Sequence, residues 1–411
     1  MQATSILNTD LLTPLGAYLR VRGMGRASFL LESVERGRLG RSSWMGAGSR
    51  LVTLAEAEEL ELPVVGYVSY DHVAELEPTV PLPAAGREIP ESRLVVCETL
   101  VRFDHGSGTA DVLAGDHDEL AGRLAAGIPW HREERGTAGA ISRTPDRAGY
   151  EEMVRTVKRH IVAGDVFQCV PSQRAERPTS ATPLALYRAL RRVNPSPYLF
   201  LLDLDGLALV GSSPERLVAC EDGRASLCPI AGTTDPTEGD AERLLSSEKD
   251  RAEHVMLVDL GRNDLSRVCR PGTVHVARSM EVERFSHVSH LVSEVVGEIR
   301  DGVTPFDILR ACFPAGTVSG APKIRAMQLI SELEEFRRGP YGGAVLYSLP
   351  GGRMDACIAL RTIVVQDGVA YLQAGAGVVA DSDPTAEHEE CLRKLAALEA
   401  AIELAEAEAA T

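Results

Sequence analysis

Two short stretches constrain the fold more than any other part of the chain. Residues 216–219 and 224–227 flank Glu221-Asp222-Gly223, and residues 358–365 and 369–373 flank Gln366-Asp367-Gly368. Both pairs of runs are rich in β-branched and apolar residues. Asp-Gly supplies the two positive-φ positions that a tight hairpin turn needs. Strands joined by such turns pair antiparallel, and no regular alternation of strand and helix intervenes. Helices are legible as well. Tyr150, Met153, Val157 and Ile161 recur at helical spacing and end before Gly164. A second helix is expected over residues 246–260. A third starts with Pro322, carries Ile324, Met327, Ile330 and Leu333, and stops at Gly339. A last one follows Asp383-Pro384 and runs to the C-terminus. Helices with mainly antiparallel β-sheets make the class α+β.

The chain has 411 residues, which suits two domains or one large two-layered body. Residues 1–145 are loosely patterned, with strand-like runs at 62–70 and 93–103 and Pro-rich and Gly-rich punctuation between. Residues 146–411 are denser and better patterned. The net charge of −16 argues against nonspecific nucleic-acid binding, which needs a basic stripe. No apolar run reaches the 18 or more residues of a membrane span, and Met1–Ser5 opens no secretory signal, so a cytoplasmic protein is expected. The eight cysteines have no Cys-x-x-Cys spacing and read as small buried hydrophobes in a reducing compartment. Only four of the 43 basic residues are Lys: Lys158, Lys249, Lys323 and Lys394. A lysine kept in an Arg-rich chain hints at a task for which Arg's fork is unsuited.

Three groupings can carry chemistry. Asp250 and Glu253 are three apart on one expected helix, and Glu387 and Glu390 are three apart on another, with Lys394 four further on. Each pair shares a helix face. If the faces met, their oxygens would suit Mg²⁺, which takes one or two carboxylates plus water and an anionic substrate; apart, they are ordinary solvated faces. Gly/Ser/Thr-rich loops at 230–233, 315–323 and 373–377 allow close backbone approach, and the second runs into a helix start able to face an anion. Its spacing is not that of a Walker loop. Finally, Glu215 follows a strand-like run, where a buried Glu can serve as a general acid, and His287 and His290 stand close together. Residues 259–264 can hold a functional Asn or Arg, or simply end a helix at Gly261.

These same stretches resemble the chorismate-utilising enzymes, and among them the component I subunits of anthranilate synthase. The runs that carry the resemblance are Pro229-Ile230-Ala231-Gly232-Thr233, residues 252–264, 282–290, 313–327 and 338–343, Arg361-Thr362, and 373–383. It covers essentially all of 145–411 and touches residues 11–18, 30–33 and 66–71. The resemblance implies a two-lobed α/β sandwich surrounded by helices, with a trimmed, regulatory-type N-terminal lobe (1–145) intertwined with a chorismate-binding catalytic domain (146–411). It implies conversion of chorismate and ammonia to anthranilate and pyruvate through 2-amino-2-deoxyisochorismate. Mg²⁺ would be held by Glu253 and Glu390, with Glu387 and Asp250 close by. Gly232, Thr233, Tyr341, Arg361, Gly375, Gly377 and Lys394 match substrate-binding positions. Glu215 matches the general acid, and His290 and Thr317 match positions of the pyruvate-forming half.

Two residues separate the relatives. Ala231 stands where aminodeoxychorismate synthases often carry a nucleophilic Lys, and Gln168 where isochorismate and salicylate synthases place a water-activating Lys. Neither Ala nor Gln can do that work. Three departures run the other way. Asp250 replaces a more usual Glu, the segment 45–65 is shorter than in the family, and Leu199 replaces a more usual Met. The family's tryptophan site would use Glu32, Ser33, Pro195, Ser196, Pro197 and Tyr198. Since no Cys has a nucleophile's surroundings, the resemblance implies a separate glutamine amidotransferase subunit in a hetero-oligomer. The alternatives that stay open are a synthase that stops at 2-amino-2-deoxyisochorismate, an isochorismate or salicylate synthase, and a non-catalytic tryptophan-binding subunit.

Overall fold

A computed structural model describes residues 6–9, 12–33, 42–86, 88–127, 139–234, 237, 239–284 and 289–408. Two large sheets form the body, and the strand pairs within each are antiparallel. The first has eleven strands, in the order Ile6–Asn8, Thr109–Ala114, Thr99–Asp104, Ser42–Gly48, Ala27–Glu32, Tyr198–Leu204, Leu207–Ser213, Thr362–Gln366, Val369–Gly375, Ser172–Pro178 and Ser142–Thr144. The second runs Ile230–Thr234, Ser289–Glu298, Arg224–Leu227, Arg216–Glu221, Arg353–Ile358, Ala344–Leu349, Val64–Val68, Ser92–Val96 and Leu51–Val52, with His275–Arg284 also on Ser289–Glu298. Strands from both sides of residue 145 share each sheet: Leu31 pairs with Phe200, and Gly66 with Leu346.

Alternation along each strand fills three layers. Phe200 and Leu202 turn inward to meet Phe29, Tyr67, Val345 and Val364 between the sheets. Leu199 and Leu201 turn outward, under helices Pro14–Val21, Pro183–Val193 and Pro384–Glu408. Helices Arg147–Ala163, Pro305–Cys312 and Lys323–Leu333 cover the outer face of the second sheet. The fold is α+β, as its turn chemistry indicates.

Both Asp-Gly hairpins form. Glu221 pairs with Arg224 and Gln366 with Val369; Asp222 and Asp367 both have φ of 51°, and Gly223 and Gly368 both have φ of 73°. The first helix ends at Ala163 with Gly164 in the left-handed conformation, as expected. Other boundaries need correction. The second helix spans Glu248–Ser266, and Gly261 does not end it. Gly261 serves packing: a Cβ there would run into Leu227 Cδ1. The helix starting after Pro322 stops at Leu333, well before Gly339, because Glu334 turns inward to bond Ser172. Residues 358–365 and 93–103 are not single strands. Each divides between the two sheets, after Ile358 and after Val96.

One such division builds the site. The chain leaves the first sheet at Ser213 and enters the second at Arg216; it leaves the second at Ile358 and re-enters the first at Thr362. The flanking strands are neighbours in both sheets, since Gly211 pairs with Thr362 and Arg216 with Cys357. The two crossings therefore lie side by side. Ile358 N–H donates to the Glu215 carbonyl (3.0 Å), Ser212 N–H to the Arg361 carbonyl (3.1 Å), and Ser213 Oγ to the Ile358 carbonyl (2.6 Å).

Candidate active site

Glu215 and Arg361 occupy these adjacent crossings. Arg361 holds φ at +46°, a costly conformation for a residue with a Cβ and one that clusters at functional sites. Glu215 is buried, and Thr317 Oγ1 donates to its Oε1 at 2.7 Å. Burial pushes the Glu215 carboxyl up to about 8; the Thr317 bond and the Ile230 N–H work against this, and the nearby Glu253 charge adds to it. Glu215 is thus protonated at neutrality and equipped to give up a proton.

His290 lies on strand Ser289–Glu298, opposite Thr233. Its Nδ1 donates to the Gly232 carbonyl at 2.8 Å, which leaves Nε2 as the basic nitrogen. Burial, and then Arg361, lower its pKa against the pull of that carbonyl. Gly232 has φ of 67°, and a Cβ on it would lie 3.2 Å from Asp250 Cγ, so the first turn of helix Glu248–Ser266 rests on this loop. The Thr233 side chain and His287 lie outside the described residues. Arg361 Nη1 donates to Asn194 Oδ1 at 3.3 Å, and burial lowers its pKa.

The segment Gly375-Ala376-Gly377 joins the two acidic helices. Lys394 Nζ donates to the Gly375 carbonyl (2.8 Å) and pairs with Glu390 Oε1 (2.8 Å). Two residues on, a Cβ at Gly377 would run into Gln168 Nε2 and lie 3.5 Å from Glu253 Oε1, while Gln168 Nε2 donates to that same Glu253 oxygen at 3.2 Å. Tyr341 Oη faces the Gly375 backbone. Glu387 is buried one turn before Glu390. Glu253 and Glu390 thus flank one strand end.

The donor set fits a hard cation in part. All four acidic residues offer carboxylate oxygens, the chemistry Mg²⁺ prefers. Among the described residues, however, the trio with ligand atoms all within 4.8 Å of one another is His72, Glu75 and Glu91, and the four carboxylates form no such cage. An open set still suits Mg²⁺, which is ordinarily completed by water and substrate oxygens.

A cavity of about 620 Å³ opens between the sheets, with Arg216 and Cys357, at the strand ends beside the crossings, in its wall. Glu32, Ser33, Trp44, Pro197, Tyr198 and Arg353 are in its wall; Pro195 and Ser196 are not. Glu32 is buried, accepts from Tyr187 Oη and pairs with Arg191 at 3.4 Å. Tyr198 Oη accepts from Arg216 Nε (2.8 Å), which also pairs with Asp355.

Several sequence hints resolve structurally. Lys158 holds the Ser382 carbonyl and Lys323 pairs with Asp264, so of the three described lysine side chains only Lys394 reaches the site. All eight cysteines are free and buried. The sequence offers no signal for the roles of Asn194 and Arg338; a lone Arg beside Arg337 carries no mark of burial.

The chorismate binding enzyme family matches residues 28–400. The probable anthranilate synthase component 1 of Schizosaccharomyces pombe is 42% identical, covering 97% of this chain and 92% of that protein. Anthranilate synthase component 1 of Thermus thermophilus is also 42% identical, covering 97% of each. The crystal structure of anthranilate synthase component I from Streptococcus pneumoniae TIGR4 superposes with a TM-score of 0.77 at 34% identity, covering 97% of this chain and all of that one. The Escherichia coli isochorismate synthase MenF shares the fold, with a TM-score of 0.78 at 21% identity over 97% of this chain and 95% of that one.

Proposed function

The chain belongs to the chorismate-binding enzyme family, and we propose that it acts as the component I subunit of an anthranilate synthase, turning chorismate and ammonia into anthranilate and pyruvate. The observation that carries this reading is Glu215: a buried, protonated carboxyl, bonded to Thr317 and close enough to Glu253 of the acidic helix to feel its charge. Glu215 donates its proton to the departing ring hydroxyl, which leaves as water while ammonia adds to the ring, giving 2-amino-2-deoxyisochorismate. In the second half His290 Nε2 takes the ring proton whose loss makes the product aromatic, the ring C–O bond to the enolpyruvyl group breaks, and the enolate released takes up a proton at its methylene carbon to become pyruvate. Arg361, Tyr341, Lys394 and the backbones at Gly232, Thr233, Gly375 and Gly377 hold the substrate carboxylates.

Mg²⁺ would be held by Glu253 and Glu390, with Glu387 and Asp250 behind them, and when bound it offsets the repulsion between a dianion and a chain of charge −16. Ammonia is favoured over water because position 168 offers no base. Gln168 Oε1 is buried without a hydrogen-bond partner among the described residues, and an acceptor so placed suits an N–H donor. A separate glutamine amidotransferase subunit supplies the ammonia, tryptophan biosynthesis is the pathway served, and the 620 Å³ cavity takes tryptophan as a feedback ligand.

The test uses the purified chain with chorismate, Mg²⁺ and ammonium at alkaline pH, with products identified by mass spectrometry. Anthranilate and pyruvate are expected, and Glu253→Gln should abolish both. Accumulation of 2-amino-2-deoxyisochorismate without pyruvate would remove the second half-reaction. Unconsumed chorismate, even with an amidotransferase added, would refute the reading.

A further inference from the structure

We infer that Arg338, held by Glu334, is a positioning residue of the catalytic site that acts through Thr317 on Glu215; this rests on the function proposed above. Arg338 is 5% exposed, and its guanidinium ties together three segments that are far apart in sequence. Nη1 donates to the Val318 carbonyl (2.7 Å), and Nη2 to the Val170 carbonyl (2.7 Å). Nε and Nη2 grip the two oxygens of Glu334 (2.8 and 2.6 Å). The plane stacks over Tyr70 (4.5 Å) and lies 5.5 Å from the Tyr341 ring. Glu334 in turn accepts from Ser172 N–H (2.9 Å) and Oγ (2.7 Å).

Each segment carries a site residue one to three positions away. Val318 follows Thr317, the donor to Glu215. Val170 follows Gln168 and Cys169, and Gln168 bonds Glu253. Tyr341 lies on the segment that Arg338 itself begins. Thr317 sits in a single 3₁₀ turn, Gly316–Val318, which is too short to fix its own orientation. Val170 N–H holds the Ser319 carbonyl just after the turn (3.0 Å), and the Val318 carbonyl is the point at which Arg338 holds the turn itself. Only a planar, five-donor group can bond both carbonyls and fork onto one carboxylate; a lysine cannot. A buried ion pair adds little stability relative to an apolar pair of equal size, so its place in the core is better explained by the geometry it imposes.

The experiment is a double-mutant cycle on anthranilate formation, with chorismate varied and thermal unfolding measured alongside. Arg338→Lys and Thr317→Val should each lower kcat by about 10- to 100-fold, the scale of a misplaced catalytic contact, with KM for chorismate changed less than about threefold. The double variant should be no worse than the worse single one, because both remove the same effect on Glu215. If the two losses multiply, Arg338 does not act through Thr317 and the inference falls. The same holds if Thr317→Val leaves kcat intact in an active wild-type enzyme. Should Arg338→Lys fail to fold, Glu334→Gln keeps the guanidinium and most of its contacts, and must show the same non-additivity with Thr317→Val. An inactive wild-type chain would instead sink the proposed function.

Discussion

At the sheet crossings, buried Glu215 and half-buried Arg361 have their charged forms disfavoured: burial raises the pKa of the acid and lowers that of the base. In the cavity between the sheets, buried charges are met by the protein itself. Glu32 has Tyr187 and Arg191, and although burial works against the Arg216 charge, Asp355 and Tyr198 outweigh it and raise its pKa. The contrast separates two uses of a buried charge. At the crossings, the groups are kept partly unsatisfied, which leaves binding and proton-transfer capacity for a dianionic substrate and stores a cost in the apo-enzyme. In the cavity wall the charges tie strand Ala27–Glu32 to helix Pro183–Val193 and join the strands that carry Arg216, Tyr198 and Asp355.

Breaking the strained side should have the largest effect. Glu215→Gln is expected to lower kcat by roughly 10²- to 10⁴-fold, the usual contribution of a positioned proton donor. The same variant should be more stable than wild type above pH 8, by up to about 5 kcal/mol, the linkage equivalent of a carboxyl pKa moved from 4.5 to about 8. The unfolded carboxyl loses its proton near its ordinary value of 4.5 and the folded one only near 8. Wild-type stability therefore falls as pH rises through that window, and Gln has no such loss. Denaturant melts at pH 4 and pH 9 check this, and equal stabilities at pH 9 would show that burying Glu215 costs nothing.

A milder probe is pH alone. At a fixed concentration of free ammonia, kcat should be level below about 8 and fall above it, as Glu215 loses its proton. Thr317→Val should move that break upward, since the bond it deletes holds the carboxyl down. A break that stays put in Thr317→Val would mean another group sets the limb. The smallest change is expected on the satisfied side. Tyr187→Phe leaves the buried Glu32 short of one donor and should cost about 1–2 kcal/mol in stability with kcat unchanged. It should also weaken inhibition by millimolar tryptophan. A Tyr187→Phe enzyme with wild-type stability would remove the contrast between the two regions.

Much of the local structure was legible because its causes are local. Gly164 at a helix end and Asp-Gly at both hairpins act through backbone conformations that neighbouring residues alone decide. The site was legible mostly through its resemblance to the family: spacing alone leaves Asp250, Glu253, Glu387 and Glu390 as two helix faces that need never meet. Gly261 was legible as glycine but not as packing, because Leu227, which requires the missing Cβ, comes from a distant strand. Arg338 carries no local mark of burial, yet it is buried because three carbonyl and carboxylate partners converge on it from residues 170, 318 and 334.

From the sequence alone come the antiparallel turns, the helix end at Gly164 and the acidic pairs, since each depends on residues within a few positions of one another. Only the tertiary structure decides where a strand leaves one sheet for the other. Both sheets bury an inner and an outer face, so the apolar pattern simply resumes after Glu98-Thr99 and after Arg361-Thr362, and nothing in it says that the sheet has changed. One of those unmarked crossings carries Arg361, and its neighbour carries Glu215. The two crossings lie side by side because the strands around them pair in both sheets at once, and pairing between distant strands is not encoded in the spacing of either.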